Sequence, residues 1–221
     1  MKRLKENVLN DIEFLILSGS YSAGEKLPAE RVLAEKFNVS RPVVHESLLI
    51  LESRGLIILR PRHGAVVNDF RRRGTLDLLT SLLCHTEEGL NPEVLESLYR
   101  LRSMLETDAA HLAAKNLSPD NLIELRQIIL KDIEETDAGA LAERDFSIHH
   151  IISVFSGNVV YPLIMNTLKP VYIEFLKTFY KRRGNIGAIR SSQYELLKAF
   201  EAGDSSKAAS IMKELSSFEI D

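Results

Sequence analysis

Four side chains within six residues of the chain, Ser40, Arg41, Val43 and His45, have the chemistry needed to read DNA. An arginine can donate two hydrogen bonds to guanine, and small apolar groups can contact thymine methyl groups. Residues in the first turn of a helix can enter the major groove together. The spacing therefore predicts a DNA-reading surface at residues 40–45.

A helix has to carry these residues, and the sequence that follows provides one. Val44, Leu48 and Leu51 recur at the spacing of one helical face. The predicted helix runs from about Arg41 to Ser53, and Gly55 can adopt the positive φ that ends it.

A shorter helix is predicted just before it, over residues 28–37, where Leu33 and Phe37 lie four residues apart. Asn38 tolerates the left-handed backbone that leaves a helix, and the Ser40 hydroxyl can cap the next one. Two helices joined by so short a turn form a helix-turn-helix. The alternative is a packing motif that never contacts DNA.

A basic hairpin after the second helix favours the DNA interpretation. Apolar runs at 56–59 and 65–67 flank a turn-forming segment, residues 60–64, that contains two arginines and a histidine. Such a wing can reach the DNA backbone or the minor groove. An amphipathic helix from about Leu4 to Ile16 completes a three-helix domain.

The charges are divided unequally along the 221 residues. Residues 1–73 contain 13 Lys and Arg against 9 Asp and Glu, whereas the remainder contains 15 against 22, for a net charge of −3. A basic first part joined to an acidic second part is typical of a DNA-binding module linked to a domain with another task.

Several stretches resemble the DNA-binding domain of the gluconate-repressor (GntR) family of bacterial transcription regulators. They are Leu27-Pro28-Ala29-Glu30-Arg31, Val39-Ser40-Arg41-Pro42-Val43-Val44, Leu51-Glu52-Ser53-Arg54-Gly55-Leu56 and Arg62-His63-Gly64. The resemblance implies that the DNA-contacting positions are Arg31, Ser40, Arg41, His63 and Gly64. The chain departs from the family at His45, where an arginine is usual. A neutral histidine cannot reproduce the arginine fork on guanine, so the operator sequence cannot be transferred from relatives.

The sequence predicts two domains, a winged helix-turn-helix over residues 1–70 and an effector domain over 79–221, joined by a linker at 71–78. Three arginines in that linker, Arg71 to Arg73, either contact phosphate or remain solvated. No apolar run is long enough for a membrane span and no signal peptide is visible, so we expect a cytoplasmic protein. The single cysteine, Cys84, is expected to be a small core residue rather than a nucleophile.

The second domain is predicted to be entirely helical, which makes the chain mainly α with one small β-hairpin. Apolar residues repeat every three to four positions, and no run alternates as a strand does. Predicted helices cover about 94–112, 119–133, 139–155, 158–182, 187–202 and 205–218. Ser118, and either Asp204 or Ser205, are candidate helix caps.

This half resembles the helical effector domain of the fatty-acid-regulator (FadR) branch of the family. The resemblance is carried by Leu98-Tyr99-Arg100-Leu101-Arg102 with Glu106, Asp145-Phe146-Ser147-Ile148-His149, Ser156-Gly157-Asn158 and Ala202-Gly203-Asp204. Many members of the branch hold a divalent metal there with one aspartate and three histidines. Asp145 and His149 match two ligands, but Gln193 and Leu215 stand where the other two are expected.

We therefore expect no bound metal and no other cofactor, because leucine cannot coordinate a metal. Asp145 and His149 would instead pair with each other along one helix face and line a pocket. Arg102 either clamps the carboxylate of an effector or pairs with Glu106 four residues away.

Residues 157–172 are similar to the fatty-acid regulator that gives the branch its name, a metal-free protein that senses long-chain acyl-coenzyme A. An acyl chain needs an apolar tunnel, which the sequence could line with Phe146, Phe155, Tyr161, Met165, Tyr172, Phe175 and Phe179. Aromatic residues at helical spacing are also ordinary core. A small carboxylate, and no effector at all, remain alternatives. The candidate effector contacts are Arg102, Asp145, His149, Asn158, Tyr172 and Gln193.

The sequence thus predicts a homodimeric transcription regulator whose grip on a double-stranded, pseudo-palindromic operator changes when a small molecule binds. The alternatives are a DNA-binding adaptor without an effector and a metal-dependent hydrolase built on Asp145, His149 and His150. No nucleophile elbow, phosphate-binding loop or complete ligand set supports an enzyme.

Overall fold

The computed structural model describes residues 2–79, 81, 92–131, 137–182 and 186–216. The chain forms two compact units, residues 1–91 and 92–221. The boundary between the units therefore lies after residues 71–78, which were expected to be the linker. Leu78 belongs to the first unit, because its side chain is buried in the core of that unit. Cys84 lies outside the described residues.

The first unit begins with three helices, α1 (Lys2–Leu17), α2 (Glu30–Phe37) and α3 (Arg41–Ser53). Asn38 has a φ of 53° and ends α2, as predicted. Ser40 is the N-terminal residue before α3, but its hydroxyl makes no capping hydrogen bond, contrary to expectation. The core of this unit includes the predicted apolar faces of α1 and α3, together with residues of α2 and the hairpin. Leu4, the first residue of the predicted α1 face, is instead 52% exposed.

The hairpin pairs β1 (Ile57–Arg60) with antiparallel β2 (Gly64–Val67), in a register that sets Ile57 opposite Val67. Both strands extend one residue into the predicted turn, because Arg60 pairs with Gly64. The short helix α4 (Phe70–Arg73) follows and contains the three arginines expected in the linker.

A buried ion pair, which the sequence did not reveal, joins α1 to the end of α3. Glu13 is fully buried, and both of its carboxylate oxygens accept from one nitrogen of Arg54, at 2.8 and 2.9 Å. The same nitrogen lies 3.2 Å from the Ser81 hydroxyl. Through these contacts, Arg54 links the segment that follows the wing to the helices of the first unit.

All the secondary-structure elements described in the second unit are helices, which confirms the predicted fold class. Its helices are α5 (Pro92–Asn116), α6 (Pro119–Leu130), α7 (Ala138–Phe155), α8 (Val160–Lys181), α9 (Ile186–Glu201) and α10 (Ser205–Leu215). Ser118 caps α6, and Asp204 rather than Ser205 caps α10. None of the described helices is both long and apolar enough to cross a membrane.

Candidate functional site

The start of α3 presents most, though not all, of the residues expected to read DNA. Ser40, Arg41 and His45 are exposed. Val43 is only 8% exposed and belongs to the core of the first unit. The helical period explains the difference, because Val43 shares the inward face with Val44 and Ser47. Val43 therefore packs the helix in place, and a thymine contact by its side chain is not supported.

Two carboxylates of α2 already contact basic side chains on this surface. The Nδ1 atom of His45 lies 2.8 Å from Glu30, and Arg31 pairs with Glu35 one helical turn away. Both pairs are solvent-exposed, so breaking them costs little. Arg31 can therefore exchange its carboxylate for a phosphate.

The wing tip presents two further predicted residues, His63 and Gly64, and both are exposed. Arg62 has a φ of 65° and Gly64 a φ of 82°, and the amide of His63 donates to the Arg60 carbonyl at 3.0 Å. These backbone conformations form a tight turn between β1 and β2. The basic side chains of the wing are presented from this turn and from the end of β1.

In the second unit, a buried carboxylate is the centre of the candidate effector site. Glu106 on α5 accepts hydrogen bonds from Arg102 (2.9 Å) and from Tyr172 on α8 (3.0 Å). Its other oxygen accepts from His149 on α7 (2.7 Å) and from the Ser216 hydroxyl (2.8 Å). Each carboxylate oxygen therefore has two donors, and four segments of the unit meet at one side chain.

The surrounding charges hold Glu106 ionised. Burial by itself raises the pKa of Glu106, but the charges and hydrogen bonds of Arg102 and His149 outweigh it and bring the pKa to about 2. Burial lowers the pKa of Arg102, and Glu106 more than compensates, so that the pKa is raised overall. The Arg102 guanidinium also lies 4.1 Å from the centre of the Tyr172 ring, within cation–π range.

Asp145, one turn before His149 on α7, has partners of its own. It accepts hydrogen bonds from the Tyr180 hydroxyl and from the Gln193 amide, the latter at 2.6 Å. The Gln193 oxygen in turn accepts from Arg144 at 3.1 Å. Asp145 and His149 therefore serve two separate hydrogen-bonded groups, and the direct pairing expected between them is not observed.

These residues do not fit a divalent metal. Gln193 donates its amide nitrogen to Asp145, and Leu215 is a buried apolar side chain. Within the described ranges, no group of three or more His, Cys, Asp or Glu side chains could hold a metal ion. The three residues expected to form a hydrolase site do not converge either. The His150 ring stacks on the Phe146 ring, with 5.6 Å between ring centres, while Asp145 and His149 each bind partners of their own.

We accordingly expect a chelator to leave the melting temperature unchanged. A ligand that binds only the folded state raises its stability, so removing a bound metal would lower it. Thermal denaturation with and without EDTA, together with elemental analysis, measures this. Stoichiometric zinc, nickel or manganese whose removal lowers the melting temperature would contradict the expectation.

Of the six predicted effector contacts, five lie in or beside this buried region. Arg102, His149 and Tyr172 surround Glu106, and Asp145 contacts Gln193. Asn158 lies apart, at the start of α8, where its side chain accepts from the amide of Val160 at 3.0 Å. The sequence indicated Glu106 only as a possible partner of Arg102; its contacts with α7, α8 and Ser216 could not be read from spacing.

A cleft with a volume of about 40 Å³ lies between α5 and α8, beside Arg102. It is lined by Leu98, Tyr99, Arg102, Leu168, Val171, Tyr172 and Phe175. Only Tyr172 and Phe175 of the seven expected tunnel residues are in this lining. The other five pack in or against the hydrophobic core, namely Phe146, Phe155, Tyr161, Met165 and Phe179.

Each of the two units matches a known protein family. Residues 4–67 match the model of the bacterial regulatory proteins of the gntR family, and residues 97–217 match the FCD domain. The HTH-type transcriptional regulator Mce2R of Mycobacterium tuberculosis is 34% identical over 97% of this chain and 89% of its own length. LutR of Bacillus subtilis, also an HTH-type transcriptional regulator, is 26% identical over 90% of this chain and 91% of its own.

A fatty acid metabolism regulator protein of a Shewanella species (strain MR-4) is 31% identical over 71% of this chain and 64% of its own length. Among solved structures, Lar, described as controlling expression of the Listeria monocytogenes agr system, has a TM-score of 0.60. It covers 98% of this chain and 94% of its own at 19% identity, which supports the fold alone. The chain therefore belongs to the GntR family of bacterial regulatory proteins, as a transcriptional regulator with an N-terminal DNA-binding domain and a C-terminal FCD effector domain.

Proposed function

We propose that this regulator binds a pseudo-palindromic DNA operator as a homodimer, with α3 in the major groove of each half-site. The observation that carries the proposal is the exposed Arg41 at the first position of α3, next to an exposed Ser40 and in the same domain as a basic wing. Two-fold symmetry would match half-sites spaced by one turn of DNA. Arg31, His63 and Gly64 supply backbone contacts, and the protein acts in the cytoplasm, where bacterial DNA lies.

His45 gives this surface its own specificity. The Nδ1 atom of the His45 ring is hydrogen-bonded to Glu30, so Nε2 is the ring nitrogen that can contact a base in the major groove. One ring nitrogen forms a single hydrogen bond, whereas an arginine at this position would form two. We therefore propose that the operator differs from those of arginine-containing relatives at the base pair opposite His45.

Arg41→Ala is expected to weaken binding to a selected operator by roughly 1–3 kcal/mol while the fold remains intact. The loss reflects the base-edge hydrogen bonds that alanine cannot make. Arg100→Ala is a matched control, because Arg100 is an exposed arginine of α5 in the other unit. Mobility-shift titrations compare the variants; equal affinities for Arg41→Ala and Arg100→Ala would refute the assignment.

We also propose that the cleft between α5 and α8 receives the effector, whose apolar part contacts Tyr99, Val171 and Phe175. The apolar lining beside a buried arginine supports a molecule with a hydrocarbon portion and an acidic or thioester head group, such as a fatty acyl-coenzyme A. The similarity to a fatty acid metabolism regulator supports the same choice.

A small carboxylate is the second candidate. The cleft, at about 40 Å³, is far smaller than a usual ligand site, so a small acid would require less widening of it than a long chain. Because Arg102 already pairs with Glu106, a carboxylate in the cleft would have to share or displace that partner. The adaptor alternative, a regulator that responds to no effector, would show no ligand-dependent change in DNA binding.

Binding of the effector and of DNA is expected to be mutually weakening, by about 5–150-fold in each direction. An effector shifts the regulator only by its different affinities for the DNA-binding and released states. Titrating long-chain acyl-coenzyme A against an operator complex measures the first direction, and titrating it against free protein with and without operator measures the second. Release by short hydroxy acids or dicarboxylates alone would replace the acyl proposal with the small-carboxylate one.

A further inference from the structure

A second recess in the effector unit is rich in positive charge. It has a volume of about 170 Å³ and is lined by Ile129, Leu130, Lys131, Arg144, Arg190 and Tyr194. Among the residues that the structure describes, this lining contains three cations, from three separate segments of the chain, and no acidic side chain. The recess shares no lining residue with the cleft between α5 and α8.

Arg144 is the most constrained of the three cations. One terminal nitrogen donates to the Gln193 side chain at 3.1 Å, and the other donates to the Ile129 carbonyl at 2.7 Å. Its third nitrogen, Nε, is buried and has no hydrogen-bond partner. A buried donor without an acceptor carries a desolvation cost, so the Arg144 guanidinium retains hydrogen-bonding capacity that the described residues do not use.

The charges around Arg144 also favour the binding of an anion. Burial lowers the pKa of Arg144, the nearby carboxylate of Asp145 opposes that shift, and the charge of Arg190 lowers the pKa further. Asp145 is already occupied by Tyr180 and Gln193. Arg144 and Arg190 therefore line the same recess closely enough for the charge of one to act on the other.

We propose that this recess binds the carboxylate or phosphate group of a small molecule, held by Arg144, Arg190 and Lys131. Guanidinium groups match the geometry of both anions, and a lysine adds a mobile point charge. The exposed ring of Tyr194 and the side chains of Ile129 and Leu130 can cover an apolar or planar remainder. The ligand class is thus an organic acid or a phosphate ester, at a site that does not depend on the proposed effector cleft.

The test uses the full chain and direct binding measurements with inorganic phosphate, pyrophosphate and citrate at constant ionic strength. Lys131→Gln and Arg190→Gln are the informative variants, because Arg144 also holds the end of α6 and its loss could disturb folding. Arg126→Gln is the matched control, an exposed arginine of α6 that pairs with Glu201 outside the recess.

We expect saturable binding of at least one anion to the wild type and to Arg126→Gln. Each recess variant should bind that anion about tenfold more weakly or worse, since it loses a charge-assisted hydrogen bond. A preference for pyrophosphate assigns a phosphate ligand, and a preference for citrate assigns an organic acid.

Unsaturable binding of all three anions, or equal affinities in the wild type and both recess variants, would overturn the proposal. Circular dichroism of each variant confirms that it is folded before binding is measured. Operator binding is assayed separately in the absence of these anions, so failure of the anion site and failure of the proposed DNA function give different results.

Discussion

Replacing Glu106 with glutamine is expected to lower the free energy of unfolding by about 3–5 kcal/mol, because it removes the carboxylate that offsets the buried Arg102 charge. The Glu106 side chain is 2% exposed and that of Arg102 is 9% exposed, so water cannot take over the lost interaction. Chemical denaturation of wild type and variant, read by circular dichroism, measures the difference.

The same helix offers a matched control. Glu96 pairs with Arg100 one turn away at 2.8 Å, but both side chains are well exposed. Glu96→Gln is expected to cost only about 0.5 kcal/mol or less, as for exposed helix pairs. A double variant, Arg102→Met with Glu106→Gln, should be more stable than Glu106→Gln alone, because it also removes the buried positive charge that Glu106 had offset.

Acid provides an independent check on the same carboxylate. The pKa of Glu106 is lowered to about 2 in the folded protein from an ordinary value of 4.5. Its contribution is therefore complete above pH 4.5 and is lost as the pH falls towards 2. The stability difference between wild type and Glu106→Gln should be constant from pH 7 down to about 5 and shrink as the pH falls through 4.5 towards 2. A difference that does not depend on pH would contradict an ionised Glu106.

Gly55→Ala is expected to destabilise the DNA-binding unit by about 2 kcal/mol more than an alanine at an open glycine with the same backbone conformation. Gly55 has a φ of 77°, and a Cβ atom added there would lie 1.9 Å from the carbonyl oxygen of Arg73. Because that atom belongs to the backbone, the segment at the end of α4 would have to move.

Gly19→Ala is the control, since Gly19 has a φ of 81° and nothing lies within 4 Å of an added Cβ. Both variants strain a left-handed residue, by roughly 1–2 kcal/mol, and only Gly55→Ala adds the overlap. Displacement of α4 should also break the hydrogen bond from the Thr75 amide to the Arg54 carbonyl, now 3.1 Å, and so speed its hydrogen exchange. Equal destabilisation by the two alanines would show that the contact relaxes without cost.

The sequence by itself determined those features that depend on neighbours a few residues apart. The helical period predicted α1, α3 and the helical second unit, Asn38 predicted the end of α2, and Ser118 predicted the cap of α6. The Arg102–Glu106 pair was likewise visible as an i,i+4 spacing. Such features are set by backbone geometry within about one helical turn, so a linear sequence contains them.

Only the tertiary structure decided which side chains meet at Glu106 and which face of α3 is free. His149, Tyr172 and Ser216 are 43, 66 and 110 residues from Glu106 in the sequence, and the packing of the helices brings them to one carboxylate. Val43 was expected on the DNA-reading surface, yet the docking of α3 in its unit buries it. Contacts at such separations depend on how whole helices pack against one another, and no local spacing encodes that packing.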